Sequence, residues 1–178
     1  MREHKLVEFM NGRFAKNGNT YYSLALGSWV INTCEGENIK AIMSTKTDDW
    51  IGAEKDTVLP TRGGPDGKQP ILVPKGTAMR WSAYMLQRRR DIYGPDANEF
   101  RPERWESGFE PGWDFVPFSG RPRICPGQQF AITQIAYTRF KIFSVSKKVE
   151  SRDLAPPRLQ ASATLSFRDG CYIGLTPA

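Results

Sequence analysis

Phe118-Ser119-Gly120-Arg121-Pro122-Arg123-Ile124-Cys125-Pro126-Gly127 runs directly into Gln128-Gln129-Phe130-Ala131-Ile132. Glycine and proline bend the first part into a loop. Beyond it Ile132, Ile135, Ala136, Phe140 and Phe143 recur three and four residues apart, which predicts a long helix with Pro126 at its first position. A cysteine on a loop that enters a helix sits in a thiolate cradle, because the positive end of the helix and its free amides favour ionised sulfur. Arg123, two residues before Cys125, can pair with an anionic group.

Upstream, residues 91–124 hold Pro95, Pro102, Pro111, Pro117 and Pro122, too many for regular helix or a central strand. Trp105, Phe109, Trp113 and Phe115 supply apolar anchors, so an ordered meander is expected. Ser82 is placed to cap a helix running to about Arg90, and Arg88-Arg89-Arg90 reads as its solvated end. Ile71-Leu72-Val73 and Ala78-Met79-Arg80-Trp81 flank Pro74-Lys75-Gly76, which predicts a small hairpin. The turn formers between Leu59 and Gly67 mark a seam.

Further back, Tyr22, Leu24 and Leu26 alternate, Gly27-Ser28 offers a turn, and Trp29 and Ile31 alternate again, which predicts a first hairpin. A short helix with Ile39, Ile42 and Met43 on one face should follow it. Near the carboxyl end, strands around Ala163–Phe167 and Cys171–Leu175 are expected to pair across Asp169-Gly170.

The 178 residues fit one domain with one core. Lys and Arg outnumber Asp and Glu by 25 to 19, a balance that alone would suggest no more than a basic binding module. His4 is the single histidine, which removes serine–histidine and cysteine–histidine catalysis and multi-histidine metal sites unless His4 itself takes part. Cys34, Cys125 and Cys171 are odd in number and far apart, so neither a disulfide framework nor a paired-cysteine zinc site is indicated. No stretch reaches the eighteen or more apolar residues of a membrane span.

The cysteine loop closely resembles the haem-binding loop of cytochromes P-450, Phe-x-x-Gly-x-Arg-x-Cys-x-Gly, aligned on Phe118, Arg123, Cys125 and Gly127. Arg121 stands at the motif glycine, with Gly120 beside it. Asp91-Ile92-Tyr93-Gly94-Pro95-Asp96-Ala97 and Phe100-Arg101-Pro102-Glu103-Arg104-Trp105 resemble the family's meander. Together with Gly63-Gly64-Pro65-Asp66-Gly67 and Val73-Pro74-Lys75-Gly76-Thr77, they look most like the fungal branch that hydroxylates alkanes and fatty acids. Residues 1–55 resemble, more weakly, the family's opening hairpin and first helix, and 56–178 its haem-binding end.

The resemblance implies a haem b cofactor with Cys125 as axial thiolate and Phe118, Arg123 and Gly127 around it. It also implies monooxygenation with electrons from an NADPH-cytochrome reductase and a small hydrophobic substrate, while the modest basic excess is too little to indicate a nucleic-acid partner. The family resides at the endoplasmic reticulum membrane, whereas the chain as written carries no anchor and is expected to be soluble. The family's oxygen-activating helix has no counterpart, and no glutamate has an arginine three residues later. The expected architecture is therefore an α+β remnant of a mainly helical fold, internally deleted or truncated. Arg104, which the Glu-x-x-Arg pair holds in the family, should be solvated or paired anew. A catalytically inactive product is the alternative to a working monooxygenase.

Overall fold

A computed structural model describes residues 6–44, 53, 55–63, 66–106, 108–120, 124–161 and 165–178. It divides into two compact units, one made of Arg13–Cys125 and the other of Pro126–Ala178 with the residues up to Gly12. Both helix and sheet are present, and most of the helices are short.

The first described element is helix α1 (Leu6–Asn17), which the sequence reading missed. Gly18 ends it at φ +83°, with its N–H donating to the Phe14 carbonyl at 2.9 Å. Strands β1 (Thr20–Ala25) and β2 (Ser28–Thr33) form the expected first hairpin. Its turn falls one residue earlier than expected, on Leu26-Gly27, at φ +50° and +80°. Two left-handed residues match the twist of a tight hairpin, and that geometry outweighs the poor suitability of leucine.

Helix α2 (Gly36–Ser44) follows, burying Ile39 and Met43 as its pattern predicts. Next come β3 (Thr57–Gly63), β4 (Gln69–Val73) and β5 (Ala78–Trp81). The stretch expected to be a seam is thus largely strand, because Leu59 is drawn into the core beside Ile31, Ile71 and Val73. A bulge between Leu59 and Gly63 absorbs the turn formers, with Arg62 at φ +74°.

Residues 71–81 do not form a hairpin. The turn at Pro74-Lys75-Gly76 exists, with Gly76 at φ +82° and Thr77 N–H on the Pro74 carbonyl. However, β4 pairs antiparallel with β3, and β5 pairs parallel with β2. Val30, Ile31, Asn32 and Thr33 stand opposite Ala78, Met79, Arg80 and Trp81. The turn therefore carries the chain from one sheet to the other.

The side chain of Asn38, fully buried, joins these pieces. Its amide donates to Thr20 Oγ1 at 3.3 Å and to the Thr61 carbonyl at 3.2 Å, and its oxygen accepts from Thr61 N–H at 3.1 Å. A buried amide is tolerated only when satisfied in this way.

In the second unit, α5 (Gln128–Val145) is the longest helix. It starts at Gln128 with Gly127 as N-cap, two residues later than expected, and none of its residues is buried. Strands β6 (Ser146–Ser151) and β9 (Ile173–Pro177) pair with each other, as do β7 (Leu159–Ala161) and β8 (Leu165–Phe167). The two carboxyl-terminal strands expected to pair across Asp169-Gly170 thus each take another partner. Gly170 still turns at φ +76°, and Asp169 accepts from Arg158 at 2.9 Å.

Candidate functional site

The expected meander is ordered by polar anchors and aromatic packing. Ser82 caps α3 (Ala83–Leu86) by accepting from Met85 N–H at 3.3 Å, but α3 lasts one turn, and a second turn, α4 (Arg90–Tyr93), follows. The break between them redirects Arg89 inward. Its guanidinium meets Glu35 at 2.5 Å, the Cys34 carbonyl at 3.1 Å and the Asp91 carboxylate. The arginine run is thus not a solvated helix end throughout: Arg89 is nearly buried, while Arg90 is exposed. Glu35 also receives Arg62 at 2.5 Å.

Arg104 is paired anew. It donates to the Tyr93 carbonyl at 2.5 Å and to the Asp96 carbonyl at 3.2 Å, and it lies 3.6 Å from the Asp96 carboxylate. Arg101 closes on that same carboxylate at 2.6 Å. Carbonyl acceptors and one aspartate here meet a guanidinium that would be costly to bury unpaired. Tyr93, itself buried, donates its hydroxyl to the Asp114 carbonyl at 2.6 Å. Burial pushes that phenol up to about 12, and burial likewise raises the Asp114 carboxyl, with Arg89 opposing. Trp105 packs on Phe109 and Phe115 with ring centres 5.7 and 4.7 Å apart, and Phe109 meets Tyr93 at 5.5 Å.

From this base the cysteine loop departs. Val116 is buried and its carbonyl accepts from Ser119 N–H at 3.3 Å. Ser119 turns at φ +65°, a left-handed angle uncommon for a residue with a side chain. Gly120 lies so close to Trp113 that a β-carbon there would overlap the indole, with the Met43 sulfur also near. Cys125 N–H donates to the Phe118 carbonyl at 2.9 Å, which closes the loop.

Of the four residues that the sequence singles out, Phe118 is half-buried and supplies this carbonyl, and Cys125 is a free, exposed thiol. Gly127 is the N-cap of α5, and its carbonyl accepts from Ala131 N–H at 2.9 Å. Arg123 lies outside the described residues, as does Arg121 at the motif's glycine position. The contact of Trp113 with Gly120 was not foreseen, because neither residue belongs to the spaced motif. The adjacent Gly120 was the one available signal.

A single exposed thiol on a loop closed by its own amide suits an axial ligand to a haem iron.

Residues 65–145 match the sequence model of the Cytochrome P450 family. Cytochrome P450 52A13 of Debaryomyces hansenii is 44% identical over 150 residues, covering 83% of this chain and 28% of that protein. Cytochrome P450 monooxygenase himC of Aspergillus japonicus is 44% identical over 123 residues, or 69% of this chain and 22% of that protein. Cytochrome P450 52E1 of Candida apicola is 53% identical over 98 residues, or 53% of this chain and 19% of that protein. The chain thus spans about a quarter or less of these relatives' length. With its meander, its cysteine loop and these matches, the chain belongs to the cytochrome P450 family.

Proposed function

We propose that this chain is the proximal haem-binding portion of a haem-thiolate monooxygenase that hydroxylates an alkane or fatty-acid-like substrate. The observation that carries the reading is the exposed Cys125 thiol on a loop closed by the 2.9 Å bond from its own amide to the Phe118 carbonyl. Iron protoporphyrin IX, once bound, would supply oxygen activation, with the thiolate donating electron density to favour O–O cleavage. The chain's own residues hold and orient. Cys125 would ligate the iron, the Phe118 ring would cover the proximal side, Arg123 would pair with a propionate, and Gly127 would let the backbone enter α5. The meander, fixed by Arg104 and Tyr93, keeps the loop in register. Electrons would come from an NADPH-dependent reductase, and the setting would be the endoplasmic reticulum membrane. No described helix is long and apolar enough to cross a bilayer.

A second reading has its own support. Phe130, Tyr137, Phe140 and Phe143 of α5 are all exposed, and the sequence lacks both Glu-x-x-Arg and a counterpart of the oxygen-activating helix. These features favour a chain that retains the ligand loop without turnover. The carbon-monoxide difference spectrum of the reduced, haem-reconstituted chain tests both readings, with Cys125→Ala as control. A thiolate-shifted Soret band that the control loses supports haem ligation, after which product formation separates an active from an inactive chain. Identical spectra for the two proteins would overturn the ligand assignment.

A further inference from the structure

We propose that Trp113 is a positioning residue for the Cys125 loop, and that α2 takes part in that support. The proposal rests on Cys125 being the haem ligand. The indole meets the loop at Gly120 so closely that a β-carbon would overlap two ring carbons, and the Met43 sulfur of α2 approaches the same point. At its other end, α2 begins with Gly36 pressed against the Trp113 carbonyl carbon and the Asp114 carboxylate. The helix therefore touches both the segment that bears the tryptophan and the loop that the tryptophan supports. A nine-residue helix spans about 13 Å, enough to brace two such points.

Displacement at Gly120 has a short route to the cysteine. The Phe118 carbonyl, which receives the Cys125 amide, lies two residues before Gly120. Between them Ser119 is held at φ +65°, where a residue with a side chain has little freedom to absorb a shift. Filling the space at Gly120 should therefore weaken the bond that closes the loop, while leaving the Asn38–Thr61 link of the same unit in place.

Backbone amide exchange of the haem-free chain, followed by NMR, tests this. Gly120→Ala should speed exchange at Cys125 roughly tenfold and leave Thr61 unchanged. Adding Trp113→Phe, whose shorter ring vacates the space, should restore protection at Cys125. No change at Cys125, equal loss at Thr61, or no rescue in the double variant would each overturn the proposal. Should Gly120→Ala fail to fold, Trp113→Ala replaces it: loss confined to Cys125 supports the proposal, and loss shared with Thr61 overturns it. In parallel, haem affinity should drop roughly tenfold in Gly120→Ala and recover with Trp113→Phe. Failure of the unaltered chain to take up haem would count against the ligand assignment and leave the exchange data to judge Trp113.

Discussion

Glu35 and Arg89 meet at 2.5 Å with side chains only 10% and 9% exposed, although 54 residues separate them in the chain. Arg62 approaches the same carboxylate from the β3 bulge but is 41% exposed. A nearly buried pair and a half-exposed one thus share a single acceptor.

Glu35→Gln should cost about 3 kcal/mol, because it leaves the Arg89 guanidinium without its deepest anionic partner. Arg62→Met should cost under about 1 kcal/mol, since water screens that side of the cluster. Urea unfolding of the two variants measures both, and equal costs would contradict the asymmetry.

Cys34 and the two exposed thiols should separate chemically. Burial pushes the Cys34 thiol up to about 12 from 9.0. At pH 8 the native chain should give two fast-reacting thiols with an aromatic disulfide reagent, and three after unfolding. Three fast thiols in the native chain would remove Cys34 from the core.

The same burial predicts the alkaline limit of stability. The unfolded thiol releases its proton near 9.0 and the folded one near 12, so the contribution of Cys34 is complete below pH 9 and is lost as pH rises toward 12. Tyr93, raised from 10.0 to about 12, loses its share over the upper part of that range. Cys34→Ala should move the onset of alkaline destabilisation from near pH 9 to near pH 10, read from melting temperatures across the range.

Leu26 turns at φ +50° with its side chain fully exposed. Asparagine suits that angle and gives up no packing, so Leu26→Asn should stabilise the chain by about 1 kcal/mol. A thermal melt decides it, and a destabilised variant would mean that Leu26 has a contact worth more than the strain.

Asn38→Ala should cost about 2 kcal/mol, because the Thr61 N–H and carbonyl lose the partner that the fully buried Asn38 side chain supplies. Chemical unfolding measures it, and a cost near zero would mean that water reaches Thr61.

Local patterns were the legible part. Alternation located the first hairpin, the spacing of Ile39 and Met43 oriented α2, and Ser82 capped its helix where expected. The choice of partners was not legible. Pro74-Lys75-Gly76 and Asp169-Gly170 are sound turn signals, yet a turn specifies a change of direction and not the strand beyond it. β5 finds β2 across more than forty residues, and no short window contains both. Arg89 was misread for a similar reason, since its charge looks solvated until Glu35 comes near. At the site, Cys125 and its spaced companions Phe118, Arg123 and Gly127 are visible as a motif. The packing of Trp113 on Gly120 depends on a distance that no spacing encodes.

The phenyl and phenol rings along α5 have a practical consequence. Rings left in water attract other rings, and the nearest supply in a concentrated sample is another copy of the same helix. Dilution therefore becomes an experimental variable in its own right. A melting curve or absorption spectrum taken at high protein concentration would report on self-association as much as on the chain, and only values that hold steady across a dilution series describe the single molecule.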